Sequence, residues 1–262
     1  MSVSTKPLRE LSLDDILSRA FTLYFSNFSQ FILPYLIFGA ISGVVTVTLE
    51  ASVSIPATPP STATPQEIME WFTRFLPAVL TITVPSVIVS WLIGTVVQGI
   101  AMKFTADTLE NKQATLLKSC KFTFSKILAL LAASIITVII IALGIVALVI
   151  PGILLAIMFS LVVPTIIIEG KGVFESLSRS RMLVSNRWLK TFGVLVMFQI
   201  IIGIAIMIIT LITRPLGLVG VVAASILGAI VQPILPIGLT LHYYSMLARE
   251  VTTAVSPSAQ IS

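Results

Sequence analysis

The sequence has few charged residues and almost no residues that bind metals. Only 10% of its residues are charged and 56% are hydrophobic, whereas soluble globular proteins average roughly 25% charged residues. It has one cysteine, Cys120, and one histidine, His242, which excludes an intrachain disulfide and any ordinary zinc or di-iron site. No nucleophile elbow, phosphate-binding glycine loop or pair of carboxylates in a plausible cleft is found. We therefore expect a protein that is not an enzyme and that uses no metal or other cofactor.

The hydrophobic residues are gathered in long uncharged runs. About 20 apolar residues cross the roughly 30 Å hydrocarbon core of a bilayer, and the uncharged run over 127–168 is twice as long as one such span. A break near Pro151 and Gly152 divides it into two spans. The sequence thus predicts an all-α, polytopic membrane protein, with a single integral membrane domain over 1–262 and a tail at 249–262. Six transmembrane helices are predicted at about 28–49, 76–102, 127–148, 150–168, 191–213 and 216–247. A separate short helix is expected at 66–75, outside the membrane, and an interruption of the second span at Pro85.

The positive charges lie almost entirely on one side of the predicted membrane. Arg74 and Arg214 are the exceptions among 16 Lys and Arg residues; the others fall in the N-terminus, the even-numbered connections and the C-terminus. Because loops rich in Lys and Arg stay cytoplasmic, we expect a cell-membrane protein with both termini in the cytoplasm. Positive charge beside membrane spans indicates anionic lipid headgroups, and not nucleic acid, as the partner.

A similar polar and apolar segment precedes the first, third and fifth predicted spans, near 15–20, 117–122 and 175–180. Each predicts an amphipathic helix in the headgroup plane, the first over 8–27 and opened by a capping box between Ser12 and Asp15. Either the chain repeats three units, each an interfacial helix and a transmembrane hairpin, or any segment entering a membrane acquires this pattern. The candidate contacts for lipid headgroups or a partner are Arg19, Lys118, Lys121, Lys171, Arg179, Arg181 and Arg187.

The predicted spans contain amides but no Asp, Glu, Lys or Arg at middle depth, which argues against a proton-driven pump. Gln98, Gln199 and Gln232 have two interpretations. They either bond between neighbouring helices or line an intramembrane polar groove shaped by spans kinked at prolines. The run His242-Tyr243-Tyr244, near the end of the sixth span, is interpreted as an interfacial anchor of the aromatic-belt type.

A series of short motifs follows the third span. It comprises Pro151-Gly152, Val163-Pro164, Glu169-Gly170-Lys171-Gly172, the helix Leu177 to Ser180, Asn186 with Trp188, and Tyr243-Tyr244 before Arg249. Over about 150–250 the chain resembles the membrane domain found with glycerophosphoryl diester phosphodiesterases and its standalone prokaryotic relatives. The resemblance implies six helices with interfacial segments. It implies no catalytic residues, since the phosphodiesterase activity belongs to a separate soluble domain.

Two functions follow from these patterns. The first is a non-enzymatic, membrane-organising or accessory module whose basic cytoplasmic face contacts anionic lipid, a membrane protein partner or a second copy of the chain. The alternative is a transporter or lipid-translocating protein with a cavity formed by the proline-kinked spans. A polar groove between the fifth and sixth spans would favour the alternative, and a tightly packed bundle would count against it. A membrane enzyme using His242 and Glu169 ranks last.

Overall fold

The computed structural model describes residues 5–255, which form α-helices, one 3-10 turn and connecting segments, with no strand among them. This confirms the all-α class. In chain order the helices are α1 (Leu13–Ser26), α2 (Phe28–Ser52), α3 (Pro65–Leu109), α4 (Leu116–Ser125), α5 (Ile127–Ala147), α6 (Val149–Met158), α7 (Val162–Glu169), α8 (Val173–Val184), α9 (Trp188–Thr213), α10 (Gly217–Gly228) and α11 (Ile234–Val255).

Five helical runs in the described part of the chain are long and apolar enough to cross a membrane. They are Phe28–Ser52, Pro65–Leu109, Ile127–Ala147, Val149–Glu169 and Trp188–Gly228. The predicted sixth span differs from the structure. After the 3-10 turn Arg214–Leu216 the chain enters α10, and a break at 229–233 separates α10 from α11. The second half of α11 carries Arg249 and Glu250, which lowers its hydropathy below that of the other runs.

Helix α3 is one continuous helix where the sequence predicted a short helix and an interrupted span. Thr64 and Glu67 form a capping box at its start, with Pro65 in the first turn, the position where a proline costs no hydrogen bond. Pro77 and Pro85 both lie inside the helix without ending it. The predicted interruption at Pro85 is therefore wrong, because proline is tolerated within long apolar helices packed against neighbours.

The predicted division of 127–168 into two helices is confirmed, and the connection lies just before Pro151. Leu148 alone connects α5 with α6, and Pro151 lies in the first turn of α6. The two helices touch through glycines, since a Cβ added to Gly144 would lie 3.0 Å from the Cα of Gly152. This close approach permits the tight hairpin.

The predicted fourth span is broken at 159–161 into α6 and α7. Ser180 of α8 occupies the break: its hydroxyl donates to the carbonyl of Met158 at 2.7 Å and accepts from the N–H of Leu161 at 3.2 Å. Backbone groups freed by the break are thus bonded, and α8 is held against the bundle.

Helices α2 and α10 pack closely through small residues. Gly39 faces Ser225, and Gly43 faces Val222 and Ser225, so the two helices run in opposite directions. The spacing of the glycines is the G-x-x-x-G pattern that lets membrane helices approach backbone to backbone.

Helix α11 lies at the centre of the molecule. Every residue over 237–246 is buried, and the helix contributes to both hydrophobic clusters of the core. His242, Tyr243 and Tyr244 are each 0% exposed. The interpretation of these three residues as interfacial anchors is therefore wrong, since an aromatic-belt residue would have its side chain at the surface.

Candidate functional sites: a charged end and a glutamine cavity

Three carboxylates, Glu10, Glu110 and Glu169, surround α11 at one end of the bundle; we call this group and its partners the charged end. Glu169, the last residue of α7, accepts a hydrogen bond from the hydroxyl of Tyr243. It also pairs with Nε of Arg179 at 3.1 Å and with Nζ of Lys171 at 3.1 Å. One carboxylate thus links α7, α8 and α11.

Arg179 bridges two carboxylates. Its two terminal nitrogens each lie 2.7 Å from an oxygen of Glu250, while its Nε contacts Glu169, and its side chain is only 14% exposed. These contacts raise the pKa of the guanidinium, chiefly through the hydrogen bonds to Glu250. The sequence suggested that Arg179 faces lipid headgroups, but the structure turns it towards carboxylates within the chain.

Glu110 joins the end of α3 to the other side of α11. It accepts from the hydroxyl of Tyr244 at 2.7 Å and pairs with Lys112. Nζ of Lys6 lies 5.2 Å from the centre of the Tyr244 ring, a cation–π distance. Burial raises the pKa of Glu110, but the hydrogen bonds from Lys112 and Tyr244 outweigh it and hold that pKa below its usual value.

Glu10 ties the N-terminal segment to α9 and α11. It lies 2.7 Å from Nζ of Lys190, 3.4 Å from Nε of Arg187 and 4.0 Å from Nε of Arg249. Burial raises the pKa of Glu10, and the hydrogen bond and charge of Lys190, with the two arginines, lower it further than burial raises it. Beside it, the N–H of Leu11 donates to Ser245 at 2.8 Å.

Glu10 and Glu110 were not predicted from the sequence as members of a site. A signal was present: each of the three carboxylates stands a few residues before a short helix, α1, α4 or α8, on the otherwise basic side. All three short helices occur where the sequence predicted amphipathic segments, and α1 has the predicted Ser12–Asp15 capping box.

The other residues predicted to contact headgroups differ in their exposure and in whether they form ion pairs. Lys171 and Arg187 have carboxylate partners, and Arg19 is half-buried. Lys118, Lys121 and Arg181 are exposed and form no ion pair within residues 5–255. The structure therefore leaves three of the seven predicted residues exposed and without a carboxylate partner.

A second site, the glutamine cavity, has a volume of about 540 Å³ and lies among α2, α3, α9 and the start of α11. It brings together the three glutamines that the sequence singled out, although each lies on a different element. The lining residues are Tyr35, Phe38, Ser90, Trp91, Gly94, Thr95, Gln98, Gln199, Ile202, Gly203, Ile206, Gln232, Leu235 and Pro236.

The three amides of this cavity make no hydrogen bond to any group in the described part of the protein. Gln199 is exposed, and Gln98 and Gln232 are half-buried, so the cavity is open at α9. Each amide offers two N–H donors and one carbonyl acceptor. The cavity can thus accept both donors and acceptors of a ligand, between walls that are otherwise apolar.

Gln232 lies in the break between α10 and α11. Pro233 follows it, and Tyr24 of α1 donates from its hydroxyl to the carbonyl of Ile230 at 2.6 Å. Broken helices at membrane depth line binding sites in many transporters, because their free backbone groups and flexible geometry suit a ligand.

No group of three His, Cys, Asp or Glu residues over 5–255 is arranged to hold a metal ion. His242 lies within the core, where Nε2 is 2.9 Å from the hydroxyl oxygen of Thr191 and Nδ1 has no partner. His242 is not among the residues that line the glutamine cavity.

The apolar helical runs define a multi-pass helical membrane protein. Residues 117–256 match DUF7847, a domain of unknown function, and the chain belongs to this family. The resemblance to the membrane domain of glycerophosphoryl diester phosphodiesterases is therefore wrong, because the family model that matches the chain is a different one. No curated protein and no solved structure matches the chain.

Proposed function

We propose that this is a non-enzymatic membrane protein that binds an amphipathic ligand of the lipid class in the glutamine cavity, either to hold it or to move it across the membrane. One observation carries the proposal: three amides from separate elements line a single open cavity and have no partner among the described residues. A polar group without a partner in hydrocarbon costs several kcal/mol. A ligand with hydrogen-bonding groups removes that cost, and a purely apolar lipid chain does not.

The depth of the cavity supports this proposal. We take the charged end as the cytoplasmic membrane surface. Along their helices, Gln98 is about 18 Å from Glu110 and Gln199 about 14 Å from Lys190, at 1.5 Å per residue. Half of the roughly 30 Å hydrocarbon core is about 15 Å. The amides then lie near the middle of the bilayer, where water does not reach them from the lipid side.

The topology belongs to the same proposal. The first four apolar runs and α9, with α10 and α11 together acting as a sixth, broken span, bring both termini to the basic side of a cell membrane. Helices α1, α4 and α8 begin at that surface and lead into the spans. The positive residues of this side and the rule that such loops stay cytoplasmic support the orientation.

A second candidate function is the membrane-organising or accessory module. Lys118, Lys121 and Arg181 favour it, because they are exposed without carboxylate partners and can contact anionic lipid or a partner protein. It ranks second because Lys171, Arg179 and Arg187 are engaged within the chain.

The test of the cavity is the triple variant Gln98→Leu/Gln199→Leu/Gln232→Leu. The protein is purified in mild detergent, and amphiphiles in its organic extract are quantified by mass spectrometry. We expect the triple variant to retain at least tenfold less of the ligand than the unchanged protein does. The loss of a single amide contact worth about 1.4 kcal/mol already lowers the affinity tenfold. Three exposed glutamines outside the cavity provide a matched control, Gln30→Leu/Gln66→Leu/Gln113→Leu, which should retain the ligand.

Retention of the same amphiphile by both triple variants would refute the cavity as its site. Proteoliposomes with a fluorescent phospholipid then separate holding from translocation. If the labelled phospholipid moves between the leaflets faster with the unchanged protein than with the cavity variant, the result supports translocation. Equal rates support holding alone.

A further inference from the structure

A separate apolar cavity lies beside α8, outside the glutamine cavity. It has a volume of about 670 Å³ and is formed by α6, the end of α8 and the start of α9. Its walls are apolar, including Ile153, Leu154 and Phe192, and its polar contributions come from Arg181 and Ser185. Trp188, which is 44% exposed, lies with them among the lining residues.

The apolar cavity continues along α9. A further cavity of about 380 Å³ shares Ile153, Ile157 and Phe192 with it and extends to Gln199 and Ile200. From Trp188 to Ile200 the helix rises about 18 Å, and one leaflet of the hydrocarbon core is about 15 Å deep. The two cavities together form a slot as long as one acyl chain.

Arg181 distinguishes this slot from an ordinary lipid-facing groove. It is exposed and has no ion pair within the described residues, whereas Arg179 and Arg187, which flank it in sequence, are both paired with carboxylates. A guanidinium binds phosphate oxygens through parallel N–H donors. An exposed indole beside it is typical of the headgroup level.

We propose that this slot is a binding site for one anionic phospholipid, with the phosphate on Arg181 and one acyl chain along α9. The charge of Arg181 selects an anionic headgroup, and the apolar walls require a chain, so free phosphate does not satisfy the site. The inference goes beyond the proposed function, because Arg181 does not line the glutamine cavity, and the two sites share Gln199 at the far end of the slot.

The test uses the full-length chain with Trp71→Phe and Trp91→Phe, which leaves Trp188 as the single tryptophan of three. The protein is reconstituted into vesicles containing phosphatidylglycerol or phosphatidylcholine brominated in the acyl chains near the headgroup, and quenching of Trp188 fluorescence is measured. We expect phosphatidylglycerol to be preferred about fivefold, the effect of one cation at a membrane surface. Arg181→Gln should abolish the preference, and Arg181→Lys should keep most of it.

Lys121→Gln is the matched control, because it removes an exposed, unpaired cation from α4 and should leave the preference unchanged. Ile153→Phe should fill the slot and lower quenching by both lipids, which tests the acyl-chain site independently of Arg181. Equal quenching by the two lipids, an unchanged preference in Arg181→Gln, or an equal loss in Lys121→Gln would overturn the proposal. Gln98→Leu/Gln232→Leu changes the glutamine cavity and leaves the residues of the slot unchanged. This variant should keep the preference, so failure of this site and failure of the glutamine cavity give different results.

Discussion

The charged end and the glutamine cavity differ in whether their polar groups have partners within the chain. At the charged end, Glu10, Glu110 and Glu169 each have two or more partners, and the hydroxyls of Tyr243 and Tyr244 donate to carboxylates. In the cavity, three amides have no partner among residues 5–255. In hydrocarbon, a polar group without a partner costs several kcal/mol. The charged end links helices of the fold through its ion pairs and hydrogen bonds, and we propose that in the cavity a ligand supplies the partners that the amides lack.

The largest expected effect comes from separating α10 from α2, the helix whose Tyr35 and Phe38 line the cavity. A Cβ on Gly39 would overlap the backbone oxygen of Ser225, so Gly39→Ala forces α10 away from α2. We expect a loss of about 3 kcal/mol in the free energy of unfolding, at the upper end of overpacking effects. Thermal unfolding in detergent measures it. Gly203→Ala is the control, since a Cβ there meets nothing within 4 Å, and equal losses in the two variants would contradict close packing of α2 on α10.

Breaking the charged end should have the next largest effect. Arg179→Met leaves Glu169 and Glu250 without their shared partner. We expect a loss of about 2 kcal/mol, below the roughly 3–5 kcal/mol of a fully buried pair, because the Glu250 side chain is 45% exposed. Thermal unfolding again measures the change. Arg9→Met, at an exposed arginine that forms no ion pair within residues 5–255, should change stability by less than about 0.5 kcal/mol. A loss as large as that of Arg179→Met would mean that net charge alone is responsible.

A smaller effect is expected from acid. The pKa values of Glu10 and Glu110 are lowered in the folded protein from a usual value of 4.5. A carboxylate with a lowered folded-state pKa stabilises the fold above its unfolded-state pKa, and this contribution is lost as the pH falls through the folded-state value. We therefore expect constant stability from neutral pH down to about 5, then a decline, measured by unfolding at successive pH values. In the double variant Glu10→Gln/Glu110→Gln, the decline in stability below pH 5 should be shallower. An equally steep decline would show that other groups cause it.

The helices were largely predictable, because an uncharged run long enough to cross a bilayer has few other structures available. The start of α5 and the first residue of α2 match the predictions to the residue. Two other features were predicted wrongly or not at all. Pro85 leaves α3 intact. The break between α6 and α7, at 159–161, contains no proline; there Ser180 from another helix bonds the freed backbone groups.

The partners within the site could not be read from one sequence. Tyr243 bonds a carboxylate 74 positions away and Tyr244 one 134 positions away. Two tyrosines near the end of an apolar run fit an aromatic belt as well as a buried hydrogen bond, and only the packing of α11 at the centre decides between them. The glutamines were identified because an amide in an apolar run is conspicuous, but their meeting in one cavity depends on how α2, α3, α9 and α11 pack.

The central claim is that the cavity glutamines serve a ligand and not the fold. The most direct test measures retained amphiphile and the free energy of unfolding of the delipidated protein on the same preparation of Gln98→Leu/Gln199→Leu/Gln232→Leu. The account predicts that the amphiphile is lost while stability is unchanged or higher, since unpaired amides are replaced by apolar groups. Retained amphiphile, or a loss of stability as large as that of Arg179→Met, would contradict it.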